Sequence, residues 1–99
     1  MAKKAIIDKD ILGWGDQQNS ELLQQYEEIL QVSKDPNLPS RIFDTTIASY
    51  CRDNDCDLFT SDRTAFTHYY KIGVRRVEIS EYDWWYAGNR PVYLVKIIE

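Results

Sequence analysis

The sequence has few of the residues that build zinc sites or disulfide scaffolds. It contains two cysteines, Cys51 and Cys56, and one histidine, His68. The cysteines follow neither a CxxC nor a zinc-ligand spacing, so we expect two small, mostly buried thiols in a cytoplasmic protein. A disulfide between them is the less favoured alternative, because disulfides inside cells are concentrated in hyperthermophiles.

The sequence also lacks long apolar runs and an excess of positive charge. No run reaches the roughly 20 apolar residues that a membrane-spanning helix needs, and no signal-peptide pattern follows Met1. The formal net charge of −4 disfavours broad, non-specific binding to nucleic acid. A nuclease is still compatible, since carboxylates that hold a metal also make a chain acidic. Without a repeat, low-complexity tract or linker, residues 1–99 are expected to form one soluble domain.

The first third of the chain predicts a short apolar segment and one amphipathic helix. Ala5-Ile6-Ile7 is either a strand that ends at Asp8 or the approach to a helix. Apolar residues then recur at helical spacing between residues 19 and 33, and Asp35-Pro36 ends this helix. The apolar positions are Leu22, Leu23, Tyr26, Ile29 and Leu30.

The rest of the chain predicts helices that alternate with strands. A central helix opens at Pro39-Ser40 with Ser40 as its N-cap. Its apolar stripe includes Phe43 and Ile47, and Asp44 lies within that stripe. Four further elements are predicted: a strand at 58–60, a helix over 64–71, a strand over 74–79 and a hairpin over 84–98. Such alternation is typical of a parallel α/β sheet.

Two aspartates, Asp44 and Asp62, are predicted to meet at one edge of this sheet. Right-handed crossovers place the start of a helix beside the carboxyl ends of the strands, where open α/β sheets bind ligands. Residues 44–53 rise roughly 15 Å as a helix, and residues 57–62 return roughly 17–20 Å as a strand. Neighbouring carboxylates require a cation or a proton, and oxygen ligands favour Mg²⁺ or Mn²⁺ over zinc. Taken alone, Asp44 is slightly better explained as a first-turn acid that complements the helix dipole.

The same stretch resembles the second half of a PIN domain, over about residues 38–80. The family pattern has an aspartate that opens a helix, followed by a strand that ends in Thr-x-Asp with a Phe four residues beyond. PIN domains resemble the FLAP and 5′-nuclease fold, and many are metal-dependent endoribonucleases, including toxins of toxin–antitoxin pairs. The matching residues are Asp44-Thr45-Thr46-Ile47-Ala48, Leu58-Phe59-Thr60-Ser61-Asp62, Phe66 and Gly73-Val74.

This resemblance implies a shortened three-layer α/β/α fold with a parallel sheet and an added C-terminal strand or hairpin. It implies that Asp44 and Asp62 ligate Mg²⁺ or Mn²⁺ and that Thr60 orients a ligand or a phosphate. The implied activity is that of a cytoplasmic endoribonuclease that acts on RNA and not at a membrane. The implied protein partners are an antitoxin and a second copy of the chain.

The sequence departs from the family pattern at its N-terminal side. A PIN domain begins with a strand that ends in Asp-x-Asn/Ser and carries another acidic residue on a middle helix. Here only residues 9–43 lie between Asp8 and Asp44. Either Asp8 completes the site of a shortened domain, or the sequence starts midway through the fold and lacks the first acidic ligands. The spacing favours the second interpretation.

Three functions therefore compete. The first is a metal-dependent ribonuclease. The second is a catalytically incomplete PIN-like binding or assembly domain, in which the aspartates are helix-end structure and C-terminal aromatic residues contact a partner. The third is an unrelated α/β module that resembles a response regulator, which needs adjacent acidic residues after its first strand; Asp8 and Asp10 meet that need only loosely. The aromatic residues in question are Tyr82, Trp84, Trp85 and Tyr86.

Overall fold

A mixed sheet of five strands carries the fold, and its middle strand is buried along its whole length. The computed structural model describes residues 2–98. The strand order is β2-β1-β3-β5-β4, with β1 parallel to β2 and β3 and β5 antiparallel to β3 and β4. It follows that β4 runs in the same direction as β1, β2 and β3. The strands are β1 (Lys4–Ile7), β2 (Glu28–Gln31), β3 (Cys56–Thr60), β4 (Val77–Trp85) and β5 (Arg90–Ile97).

Four α-helices accompany the sheet in the described residues, so the predicted α/β class is confirmed. A 3-10 turn at Lys9–Ile11 leads from β1 into the first helix. The helices are α1 (Leu12–Gln17), α2 (Asn19–Gln25), α3 (Asp44–Asn54) and α4 (Phe66–Lys71). No helix in residues 2–98 is long and apolar enough to cross a membrane.

Two hydrophobic clusters divide the core. Successive side chains of a strand point to opposite faces of a sheet, and the strand residues split between the clusters accordingly. One cluster joins Ile6 and Leu58 to residues of α3 and α4. The other joins Ile7 and Phe59 to residues of α1 and α2. Each buried face of the sheet is therefore closed by its own pair of helices.

The helix predicted over residues 19–33 is wrong beyond Gln25. Tyr26 adopts extended backbone angles, and the segment that follows is β2. Ile29 and Leu30 pair with Ala5 and Ile6 of β1. Apolar residues at these positions fit a helix face and a short strand equally well. Backbone pairing with the edge of β1 selects the strand.

The start of α3 and the position of β4 also differ from expectation. Residues 39–42 form a turn closed by the Ile42 amide on the Pro39 carbonyl, 3.0 Å apart. The helix begins at Asp44, and Phe43 rather than Ser40 is its N-cap. The predicted strand 74–79 begins only at Val77 and belongs to the antiparallel C-terminal hairpin. That hairpin itself is confirmed. Both cysteines are free and buried, as expected.

Gly15 gives a test of how tightly α1 packs on the sheet. A Cβ atom at Gly15 would lie 2.8 Å from Cγ2 of Ile7, a branch atom of a fully buried side chain. We predict that Gly15→Ala lowers the free energy of unfolding by roughly 1–2 kcal/mol, because overpacking outweighs the gain in helix propensity. Urea denaturation measures the change. Gln17→Ala, at an exposed position of the same helix, is the matched control and should be neutral; equal behaviour of the two variants would contradict the packing.

Candidate functional site

The ends of β1 and β3 lie side by side and bring Asp8 to Thr60. The Asp8 amide continues the strand pairing and donates to the Phe59 carbonyl at 2.9 Å. The Thr60 hydroxyl donates to Oδ2 of Asp8 at 2.8 Å, and the Lys9 amide donates to Oδ1 at 2.8 Å. The strand interpretation of Ala5–Ile7 is thus confirmed. Asp8 does more than precede a helix, because its carboxylate is fixed to the strand that leads to Asp62.

Asp10 and Ser61 form a second connection between the same two segments. The Ser61 hydroxyl donates a short hydrogen bond to Oδ2 of Asp10. The other oxygen, Oδ1, is buried and has no hydrogen-bond partner among residues 2–98. The Asp10 carbonyl accepts from the Arg90 guanidinium at 3.4 Å. Asp10 therefore presents a desolvated oxygen beside Asp8, which is costly in an apolar environment.

Asp44 and Asp62 meet on the two sides of His68. Nε2 of His68 lies 3.4 Å from Oδ2 of Asp44 and 3.8 Å from Oδ2 of Asp62. Asp44 opens α3, Asp62 follows β3, and His68 belongs to α4. The predicted meeting of the two aspartates is thus observed, with an imidazole between them. The Asp44 side chain is 60% exposed, so it lies outside the apolar stripe to which its spacing assigned it.

Thr60 connects Asp62 to the Asp8 side of the cluster. Its hydroxyl oxygen accepts from the Asp62 amide at 3.1 Å while its proton is donated to Asp8. Oδ1 of Asp62 accepts from both the amide and the hydroxyl of Thr64, at 2.9 and 2.7 Å. Thr60 is fully buried, and its hydroxyl fixes the Asp8 carboxylate and the Asp62 backbone.

Like charges in the cluster act on one another. The pKa of Asp8 is raised above its ordinary value, chiefly by burial and then by the negative charge of Asp10. The hydrogen bonds from Thr60 and Lys9 oppose the shift, and Asp44 adds a smaller contribution that raises the pKa further. A buried carboxylate with a raised pKa beside like charges is a candidate member of a functional site.

The donor chemistry of the cluster suits Mg²⁺ or Mn²⁺. Carboxylate and hydroxyl oxygens are the ligands these ions prefer, and the orphaned, buried Oδ1 of Asp10 is one such oxygen. Within residues 2–98, no three or more His, Cys, Asp or Glu side chains are grouped so that they could hold a metal ion. One oxygen of each of the four aspartates contacts Thr60, Ser61 or His68. The carboxylates of the cluster are of the type that binds Mg²⁺ or Mn²⁺. In this structure they contact other side chains of the protein.

The structure brings together every residue that the sequence proposed for the site. Asp44, Asp62 and Thr60 occupy one edge of the sheet, and Asp8 joins them. Three contributors were not expected there: Asp10, Ser61 and His68. The sequence placed His68 in the helix predicted just after Asp62. Only the packing of that helix, α4, against α3 brings His68 to Asp44. Whether these residues hold a metal or cleave a substrate stays a prediction.

A cleft at the opposite edge of the sheet is a separate feature. It has a volume of about 390 Å³ and is lined in part by Cys51, Cys56 and Lys96. Asp57 also borders it, with its carboxylate accepting a 2.6 Å hydrogen bond from the Tyr26 hydroxyl. Burial raises the pKa of Asp57. Because a hydroxyl already satisfies this carboxylate within the core, we interpret the Tyr26–Asp57 pair as structural.

Comparisons of the chain with protein-family models, with curated proteins and with solved structures found no match. The function therefore has to be argued from the residues of the site and their contacts.

The raised pKa of Asp8 predicts a pH-dependent cost. A carboxyl whose pKa is higher in the folded state loses stability as pH rises above its unfolded value near 3.8. Asp8→Asn removes the charge and keeps one oxygen to accept from the Thr60 hydroxyl, at the loss of the acceptor for the Lys9 amide. We expect it to raise the melting temperature by a few degrees at pH 7 in the presence of a chelator, and the gain should shrink as pH falls toward 4.

Thermal melts at several pH values measure this effect. Glu27→Gln is the control, because it removes one negative charge at an exposed position outside the cluster. A stabilisation by Asp8→Asn that is independent of pH, or a loss of stability at pH 7, would contradict the repulsion.

Proposed function

We propose that this protein is a PIN-like, metal-dependent endoribonuclease. The observation that supports this best is the convergence of four aspartates from three separate segments on the carboxyl edge of β1 and β3. A domain with a net charge of −4 gains nothing in stability from this repulsion. Such an arrangement is therefore better explained by a ligand than by folding.

Asp44 and Asp62 are the proposed direct ligands of Mg²⁺ or Mn²⁺, and Asp8 is the proposed third. Two carboxylates alone make a weak magnesium site, and Asp8 is tied to Asp62 through the Thr60 hydroxyl. When bound, the metal would activate water and neutralise charge on the scissile phosphate. Thr60 holds the Asp8 carboxylate and the Asp62 backbone in place, and Nε2 of His68 lies next to Asp44 and Asp62.

The finer features of the PIN resemblance belong to the same proposal. The two hydrophobic clusters, each closed by a pair of helices, support a shortened three-layer α/β/α arrangement. In this proposal, the hairpin formed by β4 and β5 is the C-terminal element added to the PIN-like fold. RNA is the proposed substrate, and an antitoxin and a second copy of the chain are the proposed partners. The exposed aromatic residues of the hairpin offer a surface for such a contact: Tyr82, Trp84 and Tyr86.

A specific observation favours the second candidate, a catalytically incomplete binding or assembly domain. Nε2 of His68 lies 3.4 Å from Asp44 Oδ2 and 3.8 Å from Asp62 Oδ2, so one protein side chain already contacts both carboxylates. If the His68 side chain is a permanent partner of both carboxylates, the aspartates are structural and no metal is required. The two proposals differ in one measurable property, the response of the folded state to divalent metal.

We expect Mn²⁺ and Mg²⁺ to raise the melting temperature of the parent protein. A ligand at about 100 times its dissociation constant stabilises the folded state by about 2.7 kcal/mol. Asp44→Asn and Asp62→Asn should each abolish most of this gain. Asp53→Asn makes the same charge change at the far, exposed end of α3 and should preserve it.

Single-stranded RNA incubated with the metal-loaded protein then distinguishes an enzyme from a binding module. The nuclease proposal expects cleavage that depends on Asp44 and Asp62 and stops with a chelator. A parent protein with no metal-dependent change in melting would overturn it and leave the assembly domain.

A further inference from the structure

Phe43 is exposed in a way that its sequence pattern did not predict. Its position suggested the apolar stripe of α3, yet its side chain is 77% exposed and belongs to neither hydrophobic cluster. It directly precedes Asp44 at the candidate metal site. The ring therefore contributes little to the core, and its exposed face is open to a ligand beside the candidate site.

The backbone that carries this ring is held in place. The Phe43 carbonyl accepts from the amides of Thr46 and Ile47, at 2.9 and 3.1 Å, as the first acceptor of α3. The preceding turn is tied to the end of β1, because the Lys9 ammonium donates to the Ser40 carbonyl at 3.0 Å. Little backbone freedom would be lost if a ligand packed on the ring.

Three arginines belong to the segments that form or contact this acidic edge. Arg41 is exposed two residues before Phe43, and Arg63 is exposed directly after Asp62. Arg90 reaches the Asp10 carbonyl from the hairpin. The edge thus combines metal-type ligands, guanidinium groups and an aromatic face. Such a mixture is unlike the centre of a protein interface, from which charges are depleted, and it matches the groups that bind single-stranded nucleic acid.

We propose that Phe43 is a stacking platform for an unpaired base of a single-stranded nucleic acid whose backbone passes the arginines and the acidic edge. This inference rests on the proposed function and specifies its substrate. A base can stack on the ring only when it is unpaired, so single strands are bound in preference to duplexes. Arg41 and Arg63 contact phosphates, which makes the binding weaker at high salt.

Binding of a fluorescently labelled 12-nucleotide single-stranded RNA tests the proposal directly. Ca²⁺ replaces Mg²⁺ in the buffer, and anisotropy reports the affinity at fixed salt. Phe43→Ala should weaken binding roughly tenfold, the order expected when one stacked base is lost. Leu23→Ala removes another exposed apolar side chain, on α2, and should leave the affinity unchanged. A duplex of the same sequence should bind more weakly than the single strand and should not respond to Phe43→Ala.

Two further substitutions separate stacking from general apolar contact. Phe43→Trp should restore or increase the affinity and should lose tryptophan fluorescence when the RNA is added, whereas Phe43→Leu should bind as weakly as Phe43→Ala. Equal affinity of the Ala, Leu and parent proteins would overturn the proposal. So would normal RNA binding together with altered self-association, because that result assigns the ring to a protein contact.

Cleavage assays with Mn²⁺ on the same preparations keep this proposal separate from the nuclease. Binding that depends on Phe43 without any cleavage would support the platform and defeat the nuclease. Cleavage with binding that is indifferent to Phe43 would support the nuclease and defeat the platform.

Discussion

The parallel pairing of β1 with β3 is the contact on which the rest of the structure depends. It places Ile6 beside Leu58 and Ile7 beside Phe59, so each pair contributes to a different hydrophobic cluster. It also makes both strands end together, and the Asp8 amide closes the ladder on the Phe59 carbonyl. The same register that builds the core therefore delivers acidic residues to one edge of the sheet.

The cluster at that edge works against the stability of the fold that supports it. Asp8 has a raised pKa because it is buried near Asp10 and Asp44, and Asp10 keeps a buried oxygen without a partner. Hydroxyl groups from the end of β3 offset part of this cost. Natural proteins retain such local conflicts mainly where function requires them, and this is why we propose a site at this edge.

The sequence predicted the second half of the fold better than the first. The meeting of Asp44 and Asp62 followed from crossover handedness and element lengths, both of which are local and general. The conversion of residues 28–31 into a strand could not be predicted, because Ile29 and Leu30 fit either period and only pairing with β1 selects one. The short spacing between Asp8 and Asp44 favoured the interpretation that the first acidic ligands are missing. The pairing of β1 with β3, which the spacing does not reveal, brings Asp8 to Thr60. The position of His68 needed the packing of α4 against α3.

The most direct test of the central claim is to locate a bound metal in solution. Mn²⁺ broadens the nuclear magnetic resonance signals of nearby amides, so substoichiometric Mn²⁺ added to ¹⁵N-labelled protein reports its position residue by residue. The proposed site predicts that amides of residues 8–10, 44–46 and 60–62 broaden first, while those of residues 51–57 at the opposite edge persist. Broadening that begins at residues 51–57, or no selective broadening at all, would contradict a metal site formed by Asp8, Asp44 and Asp62.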